Sequence, residues 1–159
     1  MKPLQLQLES ALVPYFTSIA YDADQIGVAV STAIAGALGR IVIYGVGSLG
    51  MPDVKLFEGS SDFIMSATGY QHHDISANPF TFQSGTMYWL GLITSSTATI
   101  RAVLTSSCVN LGLPSNVAAN YATTLLRVLP FADPLPDPWV FVDTDYALGN
   151  SISIRMRAV

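Results

Sequence analysis

The stretch Gly85-Thr-Met-Tyr-Trp-Leu-Gly-Leu-Ile93 decides the fold of this chain. It carries no charge, and turn-forming residues (Asn78-Pro79 and Gln83-Ser-Gly85) stand just before it. A run rich in aromatic and aliphatic residues, yet too short to cross a membrane, is typical of a strand buried on both faces. Such a strand lies between two layers, so we expect the rest of the chain to supply partner sheets.

Short strands are predicted along most of the chain. Residues 40–44 contain three β-branched residues in a row, 54–58 alternate as a hairpin partner, and 151–157 show the cleanest alternation of all. Many short strands with turn signals between them indicate an all-β sandwich or jelly roll. We predict one jelly-roll-like antiparallel β-sandwich domain over residues 11–159. An N-terminal arm or edge strand over residues 1–10 precedes it.

Three local features near the start refine this prediction. Pro14 interrupts an apolar run, which favours an edge position or a bend. Asp22 and Asp24 are predicted to form a turn before the strand at 26–30. Residues 33–39, rich in alanine and glycine, are predicted as a flexible hairpin loop.

The pattern loosens between about residues 105 and 138, which we predict to be a loop-rich insertion. Within it, residues 116–126 form either a short helix capped by Ser115 or a long loop. The proline spacing over 130–138 blocks regular ladder pairing and favours extended, surface-lying chain. Residues 139–142 are predicted as a short strand.

Several of these stretches resemble a β-sandwich module of tailed-bacteriophage virions, found in tail, fibre and head-decoration proteins. The central stretch and the segment after it are similar to the "G-x-Y-W-L-A-L" strand of that family. Others look like its opening strands and its "R-x-G-I-Y … G-x-P" hairpin. The likeness covers about residues 12 to 104. The matching stretches are Tyr15-Phe16, residues 24–30, 39–45 and 49–52, Met87-Tyr-Trp-Leu-Gly-Leu92 and Thr99-Ile-Arg-Ala102.

The resemblance implies an accessory structural protein of a bacteriophage virion, assembled in the host cytoplasm. A capsid decoration (cement) protein or a small tail component fits best, because the chain has the length of one domain and no shaft repeats. The implied partners are the major capsid protein or tail proteins, and copies of the chain itself, most simply as a homotrimer. The alternative is a receptor- or carbohydrate-binding tip of a tail fibre that binds a host surface glycan. A β-sandwich enzyme acting on polysaccharide is a third reading.

The composition also points to assembly. Half of the 159 residues are hydrophobic and 11% are charged, against about 25% charged in ordinary globular domains. So few charges suggest that much of the surface is buried against other chains, which predicts a homo-oligomer. The alternative is a monomer whose surface is rich in serine, threonine and asparagine.

Charge and motif content argue against several other classes of protein. The net charge of −4 and the scattered basic residues predict no nucleic-acid partner. Cys108 is the single cysteine, so neither an intrachain disulfide nor a cysteine-based zinc site is expected. The first residues lack the apolar core of a secretion signal, and no unbroken apolar run of about 20 residues predicts a membrane span.

Three patterns resemble ligand or metal sites, but each is better explained as structure. Residues 45–50 satisfy G-x-G-x-x-G, yet a strand pattern rather than a helix follows, which predicts a hairpin turn. His72 and His73 are adjacent, so on a strand they point to opposite faces and do not easily share one ion. Two acidic pairs lack the other oxygen ligands of a calcium loop, namely Asp22 with Asp24 and Asp143 with Asp145.

No catalytic set is recognisable in the sequence. No serine stands in a strand-to-helix elbow, and the adjacent histidines are the only bases of suitable pKa. We therefore predict no enzyme activity, no cofactor and no metal.

Two surface features remain as candidates for contacts. Aromatic residues exposed on loops either stack on sugar rings or are buried in a neighbouring subunit, and we favour the second. At the N-terminus, Leu4, Leu6 and Leu8 alternate with polar residues and present one apolar edge. We predict that this arm pairs with another chain, the alternative being an edge strand of its own sandwich. The candidate aromatics are Tyr70, Phe80, Phe82, Tyr121, Phe131 and Trp139.

Overall fold

The computed structural model describes residues 2–5, 9–48, 50–96, 98–104, 124–140, 146–147 and 150–159. These residues form strands and turns, and none of them forms a helix that could cross a membrane. The strands make two antiparallel sheets packed against each other. The predicted all-β sandwich is therefore confirmed.

Each sheet draws its strands from the whole length of the chain. Sheet I contains β1 (Lys2–Gln5), β3 (Tyr21–Thr32), β7 (Gly69–Asp74), β8 (Phe80–Phe82), β10 (Thr99–Leu104), β13 (Asn150–Ile152) and β14 (Ile154–Ala158). Sheet II contains β2 (Glu9–Thr17), β4 (Leu38–Val46), β5 (Pro52–Glu58), β6 (Phe63–Ile64), β9 (Thr86–Thr94), β11 (Thr124–Val128) and β12 (Tyr146–Ala147).

Strand β9 lies in the middle of sheet II, between β2 and β4. Because side chains alternate along a strand, Tyr88, Leu90 and Leu92 face sheet I and join the core between the sheets. Trp89 and Ile93 face away from sheet I, and both are still buried. The prediction that this strand is buried on both faces is confirmed.

The core between the sheets is built from the inward-facing residues of both sheets, most of which are aliphatic. One end of it is aromatic, with Phe82 fully buried among Tyr15, Tyr21 and Tyr88 at ring-centroid distances of 5.1 to 5.3 Å. Its aliphatic members include Ile26, Val28, Val30, Ile41, Ile43, Leu90, Leu92 and Ile100.

The outer face of sheet II is covered by residues 129–140, which we call the strap. Leu135 and Trp139 of the strap are each 3% exposed and pack with Trp89 and Tyr44. The strap is irregular chain lying over the sheet, as the prolines predicted. The second layer over β9 is thus the strap, not the partner sheet that we expected.

Gly91 shows how closely the strands of sheet II pack beside the strap. A Cβ atom at this position would lie 2.4 Å from both Leu12 Cδ2 and Val42 Cγ1. Glycine is required here because those two branched side chains, from the strands on either side, fill the space above β9.

The structure decides two local predictions near the start of the chain. Pro14 lies in β2 opposite Trp89, beyond residues 9–12 where β11 pairs, so it occupies an edge-like position as expected. The turn assigned to Asp22 and Asp24 was wrong: both lie in β3, and the turn comes earlier, at residues 18–20.

The remaining differences fall in the second half of the chain. Residues 124–126 belong to β11, not to a helix or loop, and the rest of the 116–126 segment lies outside the described residues. Residues 139 and 140 are not in a strand. The predicted strand at 151–157 is broken at Ser153, so that β13 pairs with β10 and β14 pairs with β3.

Candidate interaction surfaces

Residues 2–5 of the N-terminal arm form an edge strand of sheet I, whereas residues 9 and 10 already belong to β2 of sheet II. Strand β1 pairs antiparallel with β10, with Leu4 opposite Ile100. Leu6 and Leu8 lie outside the described residues. The pairing of residues 2–5 matches the alternative of an edge strand in the same sandwich. The contact of Leu4, Leu6 and Leu8 with another chain stays a prediction.

Three basic side chains fasten the strap to sheet II. Arg40 donates to the carbonyl oxygens of Phe131 (3.0 Å) and Asp133 (3.2 Å), and Lys55 Nζ donates to Leu135 O (3.0 Å). Arg127 donates to Val140 O (2.6 Å), and its guanidinium lies 4.2 Å from the centre of the Trp139 ring. Within the strap Asp133 N donates to Pro130 O (3.1 Å), but a proline-rich segment makes few such internal hydrogen bonds, so its other carbonyl groups need outside donors.

Glu58 lies on β5 at the edge of sheet II and binds two of these basic side chains. We call Arg40, Lys55, Arg127 and Glu58 together the clamp. Its carboxylate accepts from Lys55 at 2.7 Å and from Arg40 at 3.2 Å. Burial raises the pKa of Glu58, but the hydrogen bonds and charges of Lys55 and Arg40 outweigh that effect and hold this pKa below its usual value. Glu58 is therefore ionised at neutral pH, and its charge holds Arg40 and Lys55 where they donate to the strap carbonyl groups.

The strap also closes the free edge of β5. Trp139 N donates to Asp53 O (2.9 Å), and the Asp137 carboxylate accepts from Lys55 N (2.9 Å). Capped edges of this kind block uncontrolled strand pairing. The side chains of Val54 and Leu56 on the same strand remain 51% and 47% exposed.

Two further exposed apolar side chains lie where β2 ends. Phe16, opposite Met87 in the register, is 54% exposed, and Ile19 in the following turn is 67% exposed. In the part of the chain that the structure describes, ten large apolar side chains are at least 36% exposed. They are Phe16, Ile19, Ile34, Val54, Leu56, Ile64, Tyr70, Val128, Val140 and Val159.

The outer face of sheet I is polar and aromatic. Tyr70 and His72 of β7 stack with ring centroids 5.2 Å apart, and the Tyr70 hydroxyl donates to Arg155 O across β3 (3.3 Å). Arg157 binds both carboxylate oxygens of Asp24, and this hydrogen-bonded contact lowers the Asp24 pKa. This face has no covering segment among the described residues.

The two histidines lie on opposite faces, as their adjacency predicted. His72 is on the outer face of sheet I, whereas His73 is 4% exposed and packs against Gly59 and Phe57 between the sheets. Burial lowers the His73 pKa. No group of three His, Cys, Asp or Glu side chains in the described ranges is placed to hold a metal ion.

The other candidate motifs have structural roles wherever they are described. The predicted hairpin turn follows β4, with Gly47 N donating to Met51 O (2.8 Å) and Gly50 N donating to Gly47 O (3.0 Å). The Gly50 carbonyl of that turn accepts from Trp89 Nε1 (3.0 Å). Asp22 accepts from Thr81 on β8, while Asp143 and Asp145 lie outside the described residues.

The aromatic candidates divide into buried and exposed groups. Phe82 and Trp139 are buried, at 0% and 3% exposed, and drop out of the candidates for surface contacts. Phe80 and Phe131 are half-buried, and Tyr121 lies outside the described residues. Tyr70 is the one that remains exposed, at 37%. The sequence signal for this exposure was the alternation along β7, which places Tyr70 on the face opposite the buried His73.

No protein-family model matches the chain, and a comparison with curated proteins also found no match.

Proposed function

We propose that this protein is an accessory structural component of a bacteriophage virion, either a capsid decoration (cement) protein or a small tail component. It acts by protein–protein contacts, with no chemistry of its own. Its partners are copies of itself, as a homotrimer, and a larger virion protein such as the major capsid protein or a tail protein.

The position of the virion-like motifs in the fold supports this proposal. The motifs at residues 15–16, 39–45 and 87–92 lie on β2, β4 and β9, which are neighbours in sheet II. Those at 24–30 and 99–102 lie on β3 and β10, which pair in sheet I. These five stretches therefore lie on paired strands within each sheet, whereas residues 50–52 of the remaining stretch lie between β4 and the edge strand β5 and at its start.

The observation that carries the proposal is the exposed apolar surface of a chain with few charges. Phe16 with Ile19, and Val54 with Leu56, place two pairs of large apolar side chains in solvent. Apolar patches rimmed by polar residues mark protein contacts. At the same time Arg40, Lys55 and Arg127 are engaged with the strap.

The edge of β1 offers a further contact for a partner. Its one partner among the described strands is β10, so the opposite edge presents main-chain N–H and C=O groups. A strand from a neighbouring chain can add to such an edge by main-chain hydrogen bonds.

The test combines oligomeric state with binding to particles. We expect the purified protein to be a trimer by light scattering at micromolar concentration. We also expect it to bind saturably to particles assembled without it. Replacing Val54 and Leu56 with serine, or Phe16 and Ile19 with serine, should abolish one of these activities while the circular dichroism spectrum stays unchanged. A monodisperse monomer that does not bind particles contradicts the proposal.

Deleting residues 2–8 tests the arm separately, because β2 begins at Glu9 and stays intact. If the arm joins protomers or joins the protein to the particle, the truncated protein keeps its melting temperature and loses that contact. If truncation unfolds the domain, β1 belongs to the core of its own sandwich and the arm is not a tether.

A further inference from the structure

The outer face of sheet I carries three of the seven basic residues of the chain, Arg101, Arg155 and Arg157. Strand register fixes their orientation. Arg155 and Arg157 lie opposite Gly27 and Gln25 of β3, whose neighbours Ile26 and Val28 point into the core. Arg101 follows the buried Ile100, so it also points outward.

Two of these guanidinium groups are available to a ligand. Arg157 is held by Asp24 through two hydrogen bonds. The side chains of Arg101 and Arg155 are exposed, and within the described ranges no hydrogen bond or ion pair ties either guanidinium down. Ser153 N donates to Arg101 O, which places Arg155 two residues along the same face from the Arg101 position.

An aromatic ring stands beside these arginines in a fixed orientation. Tyr70 is 37% exposed, is stacked on His72 with 15° between the ring planes, and is tied through its hydroxyl to the Arg155 carbonyl. It lies opposite Ala29, which has a small side chain. A tyrosine held in this way offers a large contact area at low cost in conformational entropy.

The acidic groups of the face lie towards its other end. Asp24 and Asp74 flank Gln25, away from Arg101. They would repel a polyanion such as a nucleic acid, but they can accept hydrogen bonds from hydroxyl groups. The face therefore suits a ligand with one negative group, an apolar ring face and several hydroxyls.

We propose that this face binds a sugar bearing a carboxylate, with the sugar ring on Tyr70 and the carboxylate on the Arg155 guanidinium, assisted by Arg101. The planar guanidinium donates two parallel charge-assisted hydrogen bonds to a carboxylate, and a neutral sugar lacks the negative charge that strengthens them. This binding activity goes beyond the proposed structural role and is independent of it.

The test is titration of the full-length protein with sialyllactose and with lactose, observed by ligand NMR and by calorimetry. We expect saturable binding of sialyllactose and at least about tenfold weaker binding of lactose, the scale of one lost charged hydrogen bond. Arg155→Gln should weaken sialyllactose binding about tenfold and leave lactose binding unchanged. Tyr70→Ala should weaken both sugars.

Two matched controls keep the result interpretable. Tyr70→Phe retains the ring and should retain most of the affinity, and Leu56→Ala on sheet II should have no effect. Absence of saturable sialyllactose binding, equal binding of the two sugars, or binding insensitive to Arg155→Gln and Tyr70→Ala would each overturn the inference. None of these results bears on the virion proposal, which is tested by particle binding and composition.

Discussion

Replacement of Trp89 is the most informative perturbation of this fold, because the residue joins the centre of sheet II to the strap. Its side chain is 1% exposed, and its indole N–H donates to Gly50 O at 3.0 Å. An aromatic side chain buries about 150–250 Å², which at about 25 cal/mol per Å² corresponds to about 4–6 kcal/mol. That figure is an upper bound, because the unfolded chain already buries some apolar area.

We therefore expect Trp89→Ala to lower the free energy of unfolding by about 4 kcal/mol, within the range of about 3–5 kcal/mol for removing a buried aromatic ring. Trp89→Phe keeps most of the packing but removes the donor to the Gly50 carbonyl. It should cost about 1–2 kcal/mol, the sum of a lost hydrogen bond and a small loss of volume.

The assay is equilibrium unfolding in urea, followed by circular dichroism and by tryptophan fluorescence. Trp139, the second tryptophan, remains in both variants and reports on the strap. Val54→Ala, at a position that is 51% exposed, is the control and should cost under about 1 kcal/mol. A loss under about 1 kcal/mol for Trp89→Ala, with unchanged m-values, would refute the reasoning that β9 is buried on both faces.

Three further predictions test the sandwich and the strap. Gly91→Ala should lower the free energy of unfolding by about 1–3 kcal/mol through overpacking. Gly45→Ala is the control and should lower it less, because the added Cβ would meet its nearest neighbour at 3.6 Å. Equal melting temperatures of the two variants would contradict this. Burial holds the His73 pKa below its usual 6.5, so the unfolded chain takes up the proton first and stability falls as pH drops below about 6.5. His73→Leu should flatten unfolding free energies between about pH 6.5 and 5, and an unchanged slope would refute that origin. Arg40→Met should expose the strap to limited proteolysis and faster hydrogen exchange, and unchanged protection would show that the clamp is dispensable.

The parts of the fold that follow from local pattern were predictable from the sequence. The apolar run at 85–93 predicted the central strand, because no other element buries both faces over so short a length. The glycine-rich turn at 45–50 followed from the strand pattern after it. The opposite orientation of His72 and His73 followed from the period of two along a strand.

The parts that depend on contacts between distant residues were not predictable. The prolines indicated that the strap lies on the surface, but not that Leu135 and Trp139 are buried on sheet II. That burial depends on donors from Arg40 and Lys55, about 80 to 90 positions away in sequence. Asp24 was assigned to a turn because its partner, Arg157, lies 133 positions further on and makes an acidic residue tolerable inside β3.

The central claim, that the chain is a structural part of a virion, is tested most directly by quantitative mass spectrometry of particles purified from cells that produce it. We predict that its peptides remain with the particles through a density gradient and a high-salt wash, at a fixed copy number per particle that is a multiple of three. Peptides found in the lysate but absent from purified particles, or present there at variable trace levels, would contradict the claim.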